Sequence, residues 1–185
     1  MKHQGTKVLE TPRLILRRFQ DGDGDYMYKN WASDSEVTKF LTWPTHPSVE
    51  VSRKINASWV ENYEKPDYYQ WAIVPKELGE PIGSIAVVEL NEKAESAEVG
   101  YALSRRYWGQ GIMTEAFAAV IHYLFEEVGV LRVSSRHDPN NPASGKVMQK
   151  CGLKYEGTLR QSDWNNQGIC DAAHYSILRR EYTEK

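Results

Sequence analysis

Between Ala97 and Val128 one periodicity gives way to another, and glycines sit at the change. The run Ala97-Glu98-Val99-Gly100-Tyr101-Ala102-Leu103 alternates a small or polar face (Glu98, Gly100, Ala102) with an apolar one (Val99, Tyr101, Leu103), as a half-buried strand would. From Met113 onward, Phe117, Val120, Ile121, Leu124 and Val128 recur at three- and four-residue spacing, and Gly129 follows where a left-handed C-terminal cap belongs. The segment Arg105-Arg106-Tyr107-Trp108-Gly109-Gln110-Gly111 joins the two. The chain therefore runs strand, glycine turn, helix without interruption. The first N–H groups of such a helix lack internal partners and the helix dipole adds partial positive charge, which suits a phosphate or pyrophosphate. A tight turn with no ligand would use the same glycines, so geometry alone leaves both readings open.

The spacing is not that of a P-loop, which ends in Gly-Lys-Ser/Thr, nor of the dinucleotide fingerprint, whose glycines are spaced differently. Arg106, Gly109 and Gly111 instead meet the pattern Arg/Gln-x-x-Gly-x-Gly/Ala. This resembles the acyl-coenzyme A (CoA) pyrophosphate loop of the GNAT superfamily of N-acetyltransferases. Asn141-Pro142-Ala143-Ser144 and then Lys150-Cys151-Gly152-Leu153 resemble the family's Asn-x-x-Ser and Lys-x-Gly-Phe segment, with Leu153 in place of Phe. The opening Glu10-Thr11-Pro12-Arg13-Leu14-Ile15-Leu16-Arg17 resembles the first strand of the branch holding the ribosomal-protein N-terminal (serine/alanine) acetyltransferases and, more distantly, spermidine acetyltransferases. The resemblance spans residues 8 to 182.

It implies an α/β (α+β) fold, a GNAT-type three-layer sandwich with a mixed, centrally splayed β-sheet flanked by helices, in a single domain over residues 1–185. It also implies acetyl-CoA as cosubstrate. In the family reading the backbone amides of Arg106, Tyr107, Trp108, Gly109, Gln110 and Gly111 cradle the pyrophosphate, and Thr114 adds a hydroxyl. The strand ending at Leu103 pairs with the pantetheine arm and presents an N–H to the thioester oxygen, a small oxyanion hole.

Acetyl transfer to an amine needs a held cofactor, a neutral amine, a stabilised oxyanion and a protonated leaving thiolate. Asn141 and Ser144 lie one helical turn apart and either face the pantetheine or merely cap a helix. Many relatives protonate the thiolate with a Tyr farther along this helix, where this chain has Met148, so Ser144 becomes the candidate acid. Glu98, on the cofactor strand, is the candidate base for the amine proton, the competing reading being a salt-bridged strand carboxylate. Glu89 and Asp171 are weaker candidates that could instead shape an acidic acceptor pocket, whereas His122 and His137 match no family catalytic position.

Charge and composition limit the partners. With 23 basic and 25 acidic residues the formal charge is -2, which gives no footprint for nonspecific nucleic-acid or membrane binding, although a local patch around Arg105, Arg106, Arg132 and Arg136 stays open. No apolar run approaches membrane-spanning length and no signal-peptide core is present, so a soluble, cytoplasmic location is expected. Cys151 and Cys170 lack any zinc-like spacing, and no metal is expected.

The patterning predicts strands at 13–19, 69–74, 82–89, 98–104, 132–136, 155–160 and 172–178. It predicts helices at 26–31 and from Ser48 to about 63, the first capped from the turn Asp21-Gly22-Asp23-Gly24-Asp25. Trp31, Trp43, Trp59 and Trp71 fall in the half that forms the acceptor wall in the family, most of them as core. Trp164-Asn165-Asn166-Gln167-Gly168 resembles the hairpin that borders the acceptor site, and could also serve homodimer contacts. The acceptor implied by the branch is a protein N-terminal amine. A small amine (polyamine, amino acid or antibiotic) and a catalytically silent acyl-CoA-binding module are the alternatives.

Overall fold

The computed structural model of the chain describes residues 1–182. Its frame is one eight-stranded sheet in the order β1-β2-β3-β4-β5-β6-β8-β7. The strands are β1 (Leu9–Glu10), β2 (Leu14–Arg17), β3 (Gln70–Pro75), β4 (Gly83–Asn91), β5 (Ser96–Leu103), β6 (Arg132–His137), β7 (Lys154–Asn165) and β8 (Gly168–Leu178). The helices are α1 (Asp23–Met27), α2 (Ser35–Thr38), α3 (Val49–Asn62), α4 (Ile112–Tyr123) and α5 (Pro142–Lys150). Every neighbouring pair is antiparallel except β5 and β6, which run parallel, and α4 makes the crossover that a parallel pair requires.

That parallel seam is short. Ser96–Glu98 pair with Arg132–Ser134 and then the strands part, β5 continuing beside β4 to Leu103 and β6 continuing beside β8 to His137. Where the backbone ladder stops, the Ser135 hydroxyl donates to the Val99 carbonyl at 2.7 Å. The sheet is thus split at its centre, as the resemblance implied.

Both faces of the central strands are covered, which makes three layers. Trp71 and Ile73 of β3 join a core with Leu16, Val99, Phe117 and Val133, whereas Ala72 and Val74 face a second cluster with Phe19, Met27, Trp31 and Val37. A strand buried on both faces reads as an unbroken apolar run, and Trp71-Ala72-Ile73-Val74 is one. Each fully buried side chain such as Leu16, Ile73 or Phe117 contributes about 1.5–3 kcal/mol relative to exposure. The half-buried expectation for β5 needs correction on one face, because Ala102 is covered by the second cluster.

Other departures are local. The N-cap of α1 is Gly22 in a left-handed conformation with no side-chain cap bond. Asp23 turns inward instead, accepting from the Arg17 guanidinium at 2.7 Å and the Gln20 N–H at 2.8 Å. Neither β1 nor α2 was anticipated, since runs of two and four residues show no period. The final strand pair is longer than expected, and β7 carries register shifts at Tyr155/Gly157 and Leu159/Asp163, with Gln161 at φ 50°. After α4 the chain adds a wider π turn, Leu124–Val128, before Gly129 closes it at φ 81°.

Candidate active site

The strand-to-helix junction is built as its glycines suggested. A short 3-10 turn, Arg105–Tyr107, leads from β5 into the loop, and Gly109 and Gly111 hold φ near 72° and 75°, with Gly111 as N-cap of α4. A side chain is strained in that conformation. Among the described residues, the N–H groups of Gly109, Gln110 and Gly111 meet no hydrogen-bond acceptor. The loop is fastened from both sides. Trp108 Nε1 donates to the Leu103 carbonyl at 2.9 Å, and Arg13 donates from Nη1 to the Gln110 carbonyl at 3.0 Å.

Arg13 also donates from Nε to Glu115 in the first turn of α4 at 2.6 Å, and the Thr11 hydroxyl donates to the other Glu115 oxygen at 2.6 Å. Burial opposes ionisation of Glu115, but these hydrogen bonds outweigh it and hold the carboxyl below its usual range. The Thr-Pro-Arg opening thus neutralises the one acid at the helix start.

Beside the loop lies a cleft of about 280 Å³. Leu103, Tyr107, Trp108, Gly109, Gly111 and Thr114 line one side, and Asn141 and Ser144 of α5 line another. Val37, Phe40 and Leu41, from α2 and the turn after it, line it from the amino-terminal half of the chain. Arg106 and Gln110 lie outside this lining. Arg106 borders a neighbouring hollow with Lys29, Asn30 and Asp34, and the Gln110 amide donates to the Arg106 carbonyl at 2.9 Å.

Asn141 is the N-cap of α5 by position, yet its side chain makes no capping bond. Ser144 donates through Oγ to the Tyr101 hydroxyl at 3.1 Å, and that hydroxyl donates to the Ser144 carbonyl at 3.0 Å. Tyr101 also lines the cleft, and burial pushes its hydroxyl well above the ordinary tyrosine value. Sequence reasoning missed Tyr101, Val37, Phe40 and Leu41. Met148, at the family's tyrosine place, is fully buried in the main core.

Glu98 lies off the cleft lining and forms an ion pair with Arg136, which in turn donates from Nε to Asp163 at 2.7 Å. Burial raises the Glu98 carboxyl above its ordinary value; Arg136 opposes the shift and Glu89 adds to it. Asp171 accepts from the Gln161 N–H at 2.8 Å and so holds the kink in β7. The basic patch weighed from sequence is largely neutralised, because Arg105 pairs with Asp34, Arg132 with Glu156 and Arg136 with Glu98 and Asp163. Among the described residues, no group of three or more His, Cys, Asp or Glu is placed to hold a metal, and no helix is long and apolar enough to cross a membrane.

A family model for the acetyltransferase (GNAT) domain matches residues 13–154. The chain belongs to the GNAT acetyltransferase family. This GNAT acetyltransferase is 30% identical over 172 residues to the uncharacterized N-acetyltransferase YoaA of Bacillus subtilis, covering 93% of this chain and 97% of that protein. It is 30% identical over 151 residues to the ribosomal-protein-serine acetyltransferase of Escherichia coli, covering 81% of this chain and 80% of that one. In fold it matches the ribosomal L7/L12 alpha-N-protein acetyltransferase RimL in complex with coenzyme A, with a TM-score of 0.82 at 19% identity over 93% of this chain and 98% of that one. Another fold match, the microcin C7 self immunity acetyltransferase MccE in complex with acetyl-CoA and AMP, has a TM-score of 0.80 at 19% identity over 91% of this chain and 93% of that one. The junction fits acetyl-CoA, with open space where a Cβ at Gly109 would stand and loop N–H groups that have no acceptor.

Proposed function

We propose that this acetyltransferase moves the acetyl group from acetyl-CoA to the N-terminal amine of a protein, with a ribosomal protein as the leading class, by direct attack in a ternary complex. The observation that carries the acceptor reading is that the cleft's lining, on the Phe40 side as on the α5 side, holds no Asp or Glu. A polycationic amine would want carboxylates at that surface. Glu98 lies off that lining, paired with Arg136. The ribosomal-protein-serine acetyltransferase of E. coli, a relative over 81% of the chain, supports the same reading.

In this mechanism the amides from Arg106 through Gly111 and the start of α4 take the pyrophosphate, with the Thr114 hydroxyl beside them. The Ser104 N–H bonds across to Ile82 in the approach to β4, so by strand alternation the N–H groups of Val99, Tyr101 and Leu103 face the split. They pair with the pantetheine arm and hold the thioester oxygen as negative charge develops there. Glu98, off the cleft lining and paired with Arg136, takes the amine proton through intervening water, and its raised proton affinity suits that role. When the tetrahedral adduct collapses, the Ser144 hydroxyl, which otherwise donates to Tyr101, turns to the leaving sulfur and gives it a proton that water returns to Oγ, so that free thiol leaves and the serine is restored. Asn141 orients the pantetheine through its amide.

The test is release of free thiol from acetyl-CoA with peptides bearing Ser or Ala amino termini, with a polyamine, and with no acceptor. Release with the peptides alone supports the proposal. Release with the polyamine alone overturns it in favour of small-amine chemistry.

A further inference from the structure

The turn between β7 and β8 touches both walls of the cleft through two adjacent asparagines. The hairpin closes at Asn165 opposite Gly168, leaving Asn166 and Gln167 as its loop, and Gly168 takes the positive φ of 107° that this turn needs. Asn165 is buried, and its amide donates to Asp138 Oδ2 at 2.9 Å. The other Asp138 oxygen accepts from the Asn140 N–H at 2.8 Å, and the Asp138 carbonyl accepts from the Asn141 N–H at 2.7 Å. Asn165 therefore fixes the lead-in to α5, the element that brings Asn141 and Ser144 to the cleft.

Asn166 points the other way. Its amide donates to the carbonyls of Thr38 and Trp43, both at 2.8 Å, and its N–H donates to the Leu41 carbonyl at 3.1 Å. These three bonds clasp the segment carrying Phe40 and Leu41, which belongs to the opposite half of the split sheet. The seam between β5 and β6 joins the halves at one end, and Asn166 joins them at the other.

We infer that Asn165 and Asn166 are positioning residues that set the two walls of the cleft separately, Asn165 the wall carrying Asn141 and Ser144 and Asn166 the wall carrying Phe40 and Leu41. The inference rests on the proposed function in taking the α5 wall as the cofactor side, and it assigns the Phe40 wall, in the amino-terminal half, to the acceptor. An amide is suited to each task, because Asp138 needs a donor and the carbonyls of Thr38 and Trp43 need two donors from one side chain.

The experiment compares Asn165→Ala, Asn166→Ala and Gln167→Ala, the last removing a side chain of the same turn that bonds to neither wall. Acetyl-CoA affinity is measured by calorimetry, and amide exchange over residues 38–43 by mass spectrometry, neither of which requires a known acceptor. Asn166→Ala is expected to speed exchange over 38–43 about five- to tenfold, the factor that lost neutral hydrogen bonds carry, and to leave acetyl-CoA affinity within about twofold. Asn165→Ala is expected to weaken acetyl-CoA binding about fivefold and leave that exchange unchanged. If Asn165→Ala does not fold, Asn165→Ser, which keeps a donor of shorter reach, replaces it. Equal responses in the two asparagine variants, or the same response in Gln167→Ala, would overturn the inference. With any amine that is turned over, Asn166→Ala should raise the KM for the amine and not the KM for acetyl-CoA, and a rise in both would count against it. A failure of the peptide acceptor reading leaves the calorimetric and exchange results intact.

Discussion

Gly145 lies inside α5, where replacing glycine by alanine ordinarily stabilises a helix by about 1 kcal/mol. Here the sign should reverse. A Cβ at Gly145 would stand 2.5 Å from His137 Nε2 and 2.9 Å from Cε1, short of ordinary contact by roughly 0.9 Å. The imidazole cannot simply swing aside. Its Nδ1–H donates to the Asp138 carbonyl at 2.8 Å and its ring packs on Tyr175 with centroids 5.6 Å apart. Nε2 is buried without a partner, so moving the ring brings no new bond in return. Overpacking of this kind costs about 1–3 kcal/mol, which outweighs the helix gain and leaves Gly145→Ala about 1 kcal/mol less stable. The helix also has to shift relative to His137, and because Asn141 and Ser144 at its start line the cleft, acetyl-CoA affinity should fall with it. In a His137→Ala background the obstacle is gone, and the same substitution should stabilise by about 1 kcal/mol, a coupling of about 2 kcal/mol between the sites. Urea denaturation of the four proteins in the cycle measures this. An equal stabilisation by Gly145→Ala with and without His137 would refute the contact argument.

The other expectations are separate from that cycle. Burial holds Glu98 above its ordinary value, so kcat/KM should fall on the acidic side with an apparent pKa above 4.5, and Glu98→Gln should abolish that limb along with most turnover; an unchanged limb would remove Glu98 as the base. Because folding raises that pKa, any stability linked to Glu98 is present below pH 4.5 and is lost as pH rises through the folded value. Glu156 shows the opposite sign. Its hydrogen bond from Arg132, with lesser help from Ser176, holds its pKa down at about 2, so its stabilisation is present above pH 4.5 and is lost as pH falls toward 2, and Glu156→Gln should flatten that acid limb in thermal scans. Gly111→Ala must hold φ near 75°, a strain of about 1–2 kcal/mol, and should weaken acetyl-CoA binding in calorimetry, whereas unchanged affinity would argue against the loop as the pyrophosphate cradle. Burial pushes the Cys151 thiol up to about 12, so iodoacetamide at pH 8 should label Cys170 ahead of Cys151 in the native chain, as peptide mapping would record.

The junction between β5 and α4 was legible because a change of period and two glycines are properties of consecutive residues. The contacts that complete the site are of another kind. Tyr101 and Ser144 meet across 43 positions, and the apolar strand face to which Tyr101 was assigned gave no sign that its hydroxyl would reach α5. Phe40 and Leu41 escaped notice because α2 is four residues long and has no amphipathic period to read. Strand β7 looked like a short run because the irregularities at Gly157 and Gln161 interrupt its alternation. Glu98 does lie on β5, but its ion pair depends on β6 returning beside β5, which no local pattern encodes.

Those same irregularities govern how the molecule meets its neighbours. Every open-ended sheet offers two unpaired edges, and an extended edge invites strand addition from another chain. At one end β1 is only two residues long. At the other, β7 is bent at Gly157 and again between Leu159 and Asp163, with Gln161 in a left-handed conformation, so its free backbone groups do not present a long straight row. The sheet is thereby guarded against runaway edge-to-edge growth, and straightening β7 by deleting Gln161 would create a sticky border that the native sequence avoids.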